Sequence, residues 1–257
     1  MTKIEYVFAT GFRCSSTQFI REHKLVGISS PLDWVTIDFE TSILNIADGF
    51  KNFLKDIVVY SNRTDPKLHL STQPLHPIWA ELKPHPLTYF NQNISSQVLR
   101  FNQNYLPTIH TRNLYEWDRI CMFLHYSVEG HDFVKLENRI KKFNKIYSEH
   151  KTESLLFHIT RILNTKDIAT EKQKMSEVVK KYDIESPIFI VLTVDDGVET
   201  KLDIEDNIYF CTLPVPSVQD QWKYNAENEL TQINHNAVYE LMNKEFKWGE
   251  IKQEPKH

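Results

Sequence analysis

Short apolar runs alternate along the chain with longer stretches whose apolar residues recur every three or four positions, the marks of buried strands and amphipathic helices. Ile4 to Ala9 is a β-rich run, and Gly11 opens a turn after it. Ser15 to Lys24 then carries Phe19, Ile20 and His23 at helical spacing, with serines available as caps. A second amphipathic helix is predicted over Glu40 to Lys55, with Ile43, Leu44, Ala47, Phe50 and Leu54 on one face, and a buried strand over Ile57 to Tyr60. Leu114 to His125 has helix-compatible spacing. Phe133 to His150 reads as a basic amphipathic helix with Leu136, Ile140, Phe143 and Tyr147 on one stripe. The chain then alternates through a strand at Leu155 to Ile159, a helix at Thr170 to Tyr182, strands at Ile188 to Val194 and Ile208 to Thr212, and a helix at Leu230 to Lys244.

This order predicts an α/β fold, alternating strands and helices around a mainly parallel sheet. Residues 61–112 break every period with six prolines (Pro66, Pro74, Pro77, Pro84, Pro86, Pro107). They read as a loop-rich insertion within a single domain spanning 1–257, packed through Trp79, Tyr89, Phe90, Phe101 and Tyr105 rather than disordered.

Composition narrows the function classes. In 257 residues, 30 Lys and Arg stand against 34 Asp and Glu, a formal net charge of −4. That balance offers no basic field for a phosphate backbone, so no nucleic-acid partner is expected. No apolar run approaches the roughly 20 residues that span a bilayer, and the first ten residues lack the basic-then-apolar pattern of a secretory signal. Three widely spaced cysteines, Cys14, Cys121 and Cys211, suit no disulfide framework and point to a reducing cytoplasm. No Cys-x-x-Cys pair and no histidine pair at helical i, i+4 spacing occurs, so neither a metal nor another cofactor is expected.

The segment Gly11-Phe12-Arg13-Cys14-Ser15-Ser16 lies between the first strand and the first helix. A thiol at a helix start faces unpaired backbone N–H groups and the positive end of the helix dipole. With Arg13 beside it, this is the setting of a nucleophilic thiolate. Two other readings stand next to it: a small buried hydrophobe at a strand–helix junction, and a helix start that cradles an anion such as a substrate phosphate. Cys121 and Cys211 lie in apolar stretches and read as buried.

A nucleophilic thiol needs a base. His125 and His131 flank the short Tyr126–Gly130 loop and remain in play; His158 lies in an apolar strand and reads as a satisfied core histidine. Asp195 and Asp196 follow the Ile188 strand, where they face either a ligand crevice or a simple turn. Asp33 and Trp34 follow the first helix as either a substrate-contacting corner or a capped turn.

Several segments together resemble a bacterial family designated papain-like cysteine peptidases, an uncharacterised-domain group often found beside polysaccharide biosynthesis genes. The resemblance covers about the first 160 residues. Gly11-x-x-Cys14 follows the first strand, and Ser30-Pro31-Leu32-Asp33-Trp34 is similar to the family's Pro-Phe-Asp-Trp, with Leu for Phe. Phe123-Leu124-His125-Tyr126 is similar to its Phe-x-His-Asp, with Tyr126 in place of the acid. Arg139-Ile140-Lys141-Lys142-Phe143 is similar to its Arg-Ile-x-Arg-Phe helix, and Leu155 to Arg161 to the strand that follows. The resemblance implies a Cys14 nucleophile with His125 as partner, His131 ranking second.

The expected function is a thiol-dependent hydrolase or acyltransferase acting on a small-molecule, peptide or glycan substrate contacted by Arg13, Asp33, Trp34 and Asp195. A different class is a glycan-pathway transferase, with Gly11 to Ser16 on the phosphate of a nucleotide sugar. A third is a non-enzymatic binding partner in such a pathway, presenting aromatics from 79–105. The strand-turn-helix context and the later alternation look more like a doubly wound sheet than papain's own helix-plus-barrel arrangement.

Overall fold

A computed structural model describes residues 1–10, 15–25, 28–33, 35–51, 53–54, 57–61, 98–102, 121–122, 131–162, 167–195, 198–215 and 229–249. The strands are β1 (Thr2–Ile4), β2 (Tyr6–Ala9), β3 (Thr36–Ile37), β4 (Ile57–Ser61), β5 (Val98–Asn102), β6 (Cys121–Met122), β7 (Ser154–Ile162), β8 (Ile188–Asp195), β9 (Lys201–Glu205), β10 (Ile208–Val215) and β11 (Phe246–Trp248). The helices are α1 (Ser15–Glu22), α2 (Phe39–Ala47), α3 (His131–Glu149), α4 (Ile168–Lys181) and α5 (Glu229–Glu245). None of these helices is long and apolar enough to cross a membrane.

The central sheet has the order β2-β7-β8-β10-β9, with β9 antiparallel and the other four strands parallel. Period-2 alternation sends successive side chains to opposite faces, and both faces are covered. On one, Tyr6, Phe8, Leu156, Ile188, Ile190 and Phe210 meet Ile43 and Ile46 of α2, Leu136 and Phe143 of α3, and Met175 and Val179 of α4. On the other, Val7, Ala9, Leu155, Phe157, Phe189 and Val191 meet Phe19 and Ile20 of α1 and Val238 and Met242 of α5. Burial on two sides is why β8 and β10 read as continuous apolar runs. The α/β expectation, a mainly parallel sheet between helices, is met.

Three local expectations need correction. The helix predicted over Glu40 to Lys55 ends at Ala47. Gly49 (φ 66) and Phe50 (φ 62) both adopt left-handed backbone, which stops the helix and turns Phe50 back onto Phe53 and Phe143. The Asn144 side-chain amide donates to the Gly49 carbonyl at 2.8 Å and holds that turn. Within the helix predicted over Leu114 to His125, Cys121–Met122 is instead a strand that pairs antiparallel with β3. Two residues of matching apolar spacing serve either element, and the tertiary partner decides. Lastly, the Ile4 to Ala9 run divides at Glu5, with β1 pairing parallel to β11 and β2 to β7.

A second sheet, β3-β6-β5-β4, is antiparallel throughout. Its β5 falls inside the stretch expected to be loop-rich; residues 62–97 and 103–120 lie outside the described residues.

Candidate functional site

All four parallel strands end on one edge of the sheet, and the chain leaves two neighbours toward opposite faces. After β2 it enters α1, which packs with Phe157 and Phe189; after β7 it enters α4, which packs with Ile188 and Ile190. Adjacent strands whose connections part in this way open a crevice at their carboxyl ends. Here Thr10 and His158 follow Ala9 and Phe157, the last paired residues of the two strands.

Thr10 closes β2. Its N–H and its hydroxyl both donate to the Phe157 carbonyl, at 2.9 and 3.2 Å. The same hydroxyl oxygen lies 3.2 Å from His158 Nδ1. A hydroxyl has one proton, so with that proton on Phe157 the imidazole N–H must be the donor to Thr10. His158 is fully buried, with the edge of Phe39 packed 5.1 Å away. Burial pushes its pKa down to about 3, opposed only by a hydrogen bond to the Thr10 backbone. It is a neutral, tautomer-fixed core histidine, as its apolar strand suggested.

The first turn of α1 is held on two sides. Ser16 Oγ accepts from the Ile159 N–H of β7 at 3.1 Å. Thr17 Oγ1 donates to Asp33 Oδ1 at 3.3 Å. Asp33 Oδ2 also accepts from the Ser30 N–H at 3.2 Å, while Ser30 Oγ donates to the Ala9 carbonyl at 2.9 Å and accepts from the Leu32 N–H at 3.1 Å. This wrap covers the outer edge of β2, whose carbonyl would otherwise be an open sheet edge. Asp33 is 6% exposed. Burial raises its pKa to about 6, against the pull of the Arg139 and Arg21 guanidiniums and of its Thr17 and Ser30 hydrogen bonds. Farther along α1, Phe19 stacks on Phe157 at 4.5 Å and Glu22 meets His235 Nδ1 at 2.6 Å.

Of the residues singled out by sequence, Arg13, Cys14, Trp34, His125 and Asp196 lie outside the described residues. Asp195 ends β8 at the carboxyl edge, and His131 begins α3. Of the residues expected to react or to contact substrate, Asp33 alone has a described side chain, and that side chain is buried. Cys211 is sealed in the core, where burial pushes its thiol up to about 12.

Topology adds one relation. The β3–β6 ladder pairs Thr36 with Met122 and Ile37 with Cys121. In an antiparallel pair, the start of one strand lies at the end of the other. The chain therefore arrives from Asp33 at the same end of the ladder from which it departs toward His125.

Thr10 and Thr17 escaped the sequence reading, and Ser16 and Ser30 entered it only as members of longer segments. The hydroxyl residues after Cys14 read as helix caps or, through Ser16, as part of a phosphate-contacting segment, and the partners they have in the fold are remote in sequence.

A single group among the described residues has the makings of a cation site: ligating atoms of Glu5, His150 and Glu153 lie within 4.8 Å of one another. These residues precede β2 and β7, at the opposite edge of the sheet, and the Lys3 ammonium is already paired with Glu5. A cavity of about 280 Å³, lined by Gly49, Asn144, Tyr147, Lys151 and Asp183, is at that end too.

A family model described as putative papain-like cysteine peptidase (DUF1796) matches residues 5–194, about three quarters of the chain. The chain belongs to this family. The span shared with the papain-like cysteine peptidase family takes in Cys14, Asp33, Trp34, His125, Arg139 and His158. It stops at Val194, before β9, β10 and α5. No curated protein and no solved structure matches the chain.

Proposed function

We propose that the protein is a thiol-dependent hydrolase or acyltransferase with Cys14 as nucleophile and His125 as base. The Cys14 thiolate attacks a substrate carbonyl carbon, and the displaced electron pair moves to the carbonyl oxygen, which the amides at the start of α1 hold. His125 takes the thiol proton and passes it to the leaving group. Water then cleaves the acyl-cysteine in a hydrolase, and an acceptor hydroxyl or amine in a transferase. The substrate is a peptide or a glycan-linked ester or amide met in the cytoplasm, within polysaccharide biosynthesis as the family resemblance implies. Arg13, Trp34 and Asp195 line it, with Asp33 behind them.

One observation carries the reading. The helix that directly follows Cys14 in sequence has its first turn fixed to β7 through Ser16 and to the edge wrap through Thr17. A helix start held this firmly at the carboxyl ends of β2 and β7 is preorganised for a developing negative charge. The shared end of the β3–β6 ladder supports His125 over His131 as the base.

Alkylation by iodoacetamide tests this near neutral pH. Cys14→Ser abolishes fast labelling, while Cys121→Ala leaves it intact; Cys211, with its thiol near 12, contributes nothing. Fast labelling that survives Cys14→Ser overturns the reading. So does a Cys14 thiol pKa at the free value of about 8.5, above all in a protein stabilised thermally by nucleotide sugars.

A further inference from the structure

We propose that Asp33 is the positioning residue of this site: through Thr17 it fixes the first turn of α1, and hence the helix start beside Cys14, without itself touching substrate. The inference rests on reading Cys14 as the nucleophile.

The geometry is a closed brace. The end of β2 accepts from Ser30 through the Ala9 carbonyl, the Ser30 N–H donates to Asp33 Oδ2, and Asp33 Oδ1 accepts from Thr17 Oγ1. The segment that carries Cys14 is strung between the two ends of this brace, after Ala9 and before Thr17. Nothing in core packing asks for a carboxyl here. A buried charge is tolerated where it is hydrogen-bonded and compensated, and Asp33 is both. Arg21 approaches from α1 and Arg139 from α3, helices packed on opposite faces of the sheet. One buried carboxyl thus ties the nucleophile's helix to the edge wrap and to the far layer.

The brace also changes with protonation. Arg21 and Arg139 are the charged groups facing Asp33, and Thr17 and Ser30 are its hydrogen-bond donors; burial outweighs them and puts its pKa at about 6. Protonation removes the carboxylate charge, and with it the attraction of Arg21 on α1 and of Arg139, and exchanges a charge-assisted bond to Thr17 for a weaker neutral one. The grip on α1 therefore weakens on the acid side of neutrality.

The test compares the full-length wild type with Asp33→Asn, Thr17→Val and Thr17→Ser, by iodoacetamide alkylation of Cys14 from about pH 4.5 to 9 and by hydrogen exchange of the α1 amides. Thr17→Val slows alkylation roughly tenfold, the scale expected for a displaced reacting group, and Thr17→Ser restores it. Asp33→Asn removes the acid-side inflection from the rate profile. Wild-type rates and profiles in both Asp33→Asn and Thr17→Val overturn the proposal. If Asp33→Asn does not fold, Thr17→Val and its serine rescue decide, because they leave the carboxylate in place. The nucleophile reading fails separately, if labelling survives Cys14→Ser. Exchange then decides for Asp33: faster α1 exchange in Thr17→Val upholds its hold on the helix, and unchanged exchange overturns it.

Discussion

His158→Gln isolates the energetic consequence of burying an imidazole at the end of the β2–β7 ladder. In the folded protein His158 is neutral, its pKa pushed by burial from 6.5 to about 3. In the unfolded chain it titrates normally and binds its proton more readily. Stability is therefore full above pH 6.5 and is lost as the pH falls from there toward 3. The whole effect is about 5 kcal/mol, at about 1.36 kcal/mol for each pH unit between the two pKa values. The part lost between pH 7.5 and 5.0 is about 2 kcal/mol. Glutamine keeps an amide beside Thr10 but cannot titrate. The variant starts out less stable at pH 7.5, through a poorer hydrogen bond and poorer packing against Phe39. By pH 5.0 its deficit relative to the wild type should have narrowed by about 2 kcal/mol. Urea denaturation at the two pH values measures this, and Asp33, His23 and His235, which titrate in both proteins, drop out of the difference. A deficit of the same size at both would show that folding does not keep this imidazole neutral, and the burial argument would be wrong.

Two further outcomes follow from how α1 is anchored. Phe19 is fully buried and stacked 4.5 Å from Phe157; Phe19→Ala should cost about 3–5 kcal/mol in urea denaturation, and a loss below 1 kcal/mol would contradict this placement. Between α1 and α5, burial lowers the pKa of both His23 and His235, with Glu22 pulling the other way. Both favour the neutral form when folded, so the wild-type thermal midpoint should drop below pH 6.5 more steeply than that of the His23→Gln, His235→Gln double variant. Parallel curves would refute it.

What the sequence made legible was what local periodicity encodes. The apolar runs of β7, β8 and β10 and the Leu136, Phe143, Tyr147 stripe of α3 are buried as their spacing requires. Legibility failed where a distant partner decides. β9 (Lys-Leu-Asp-Ile-Glu) is largely polar because it is an edge strand, and its charges guard that edge instead of marking a period. Cys121–Met122 is a strand because β3 is there to pair with it. The site divides in the same way. A cysteine between strand and helix is a local pattern and could be read directly. Thr17 with Asp33, and Thr10 with His158, are tertiary pairs 16 and 148 residues apart, and no window along the chain contains the second.

Where this sheet is expected to bind a ligand can be argued without any motif. The parallel strands advance in one direction across the sheet, so the strand order alone marks no reversal point. The faces do: α1 leaves β2 on one side, and α4 leaves β7 on the other. Neighbouring strands followed by helices on opposite faces are where a ligand crevice is expected at the carboxyl ends of a sheet. β2 is also an edge strand, so an open cleft at its end would expose backbone on two sides. The Ser30–Asp33 wrap answers that need by satisfying the Ala9 carbonyl, and the same wrap reaches Thr17. Covering the edge and aiming the helix are thus one structure. Beyond the wrap the chain enters β3, whose partner β6 departs toward His125 from the shared end of their ladder. The connection from β2 to β7, long for a parallel crossover, therefore does more than span two strands. It carries α1, the Asp33 carboxyl that holds the first turn of that helix, and the β3 strand that pairs with β6.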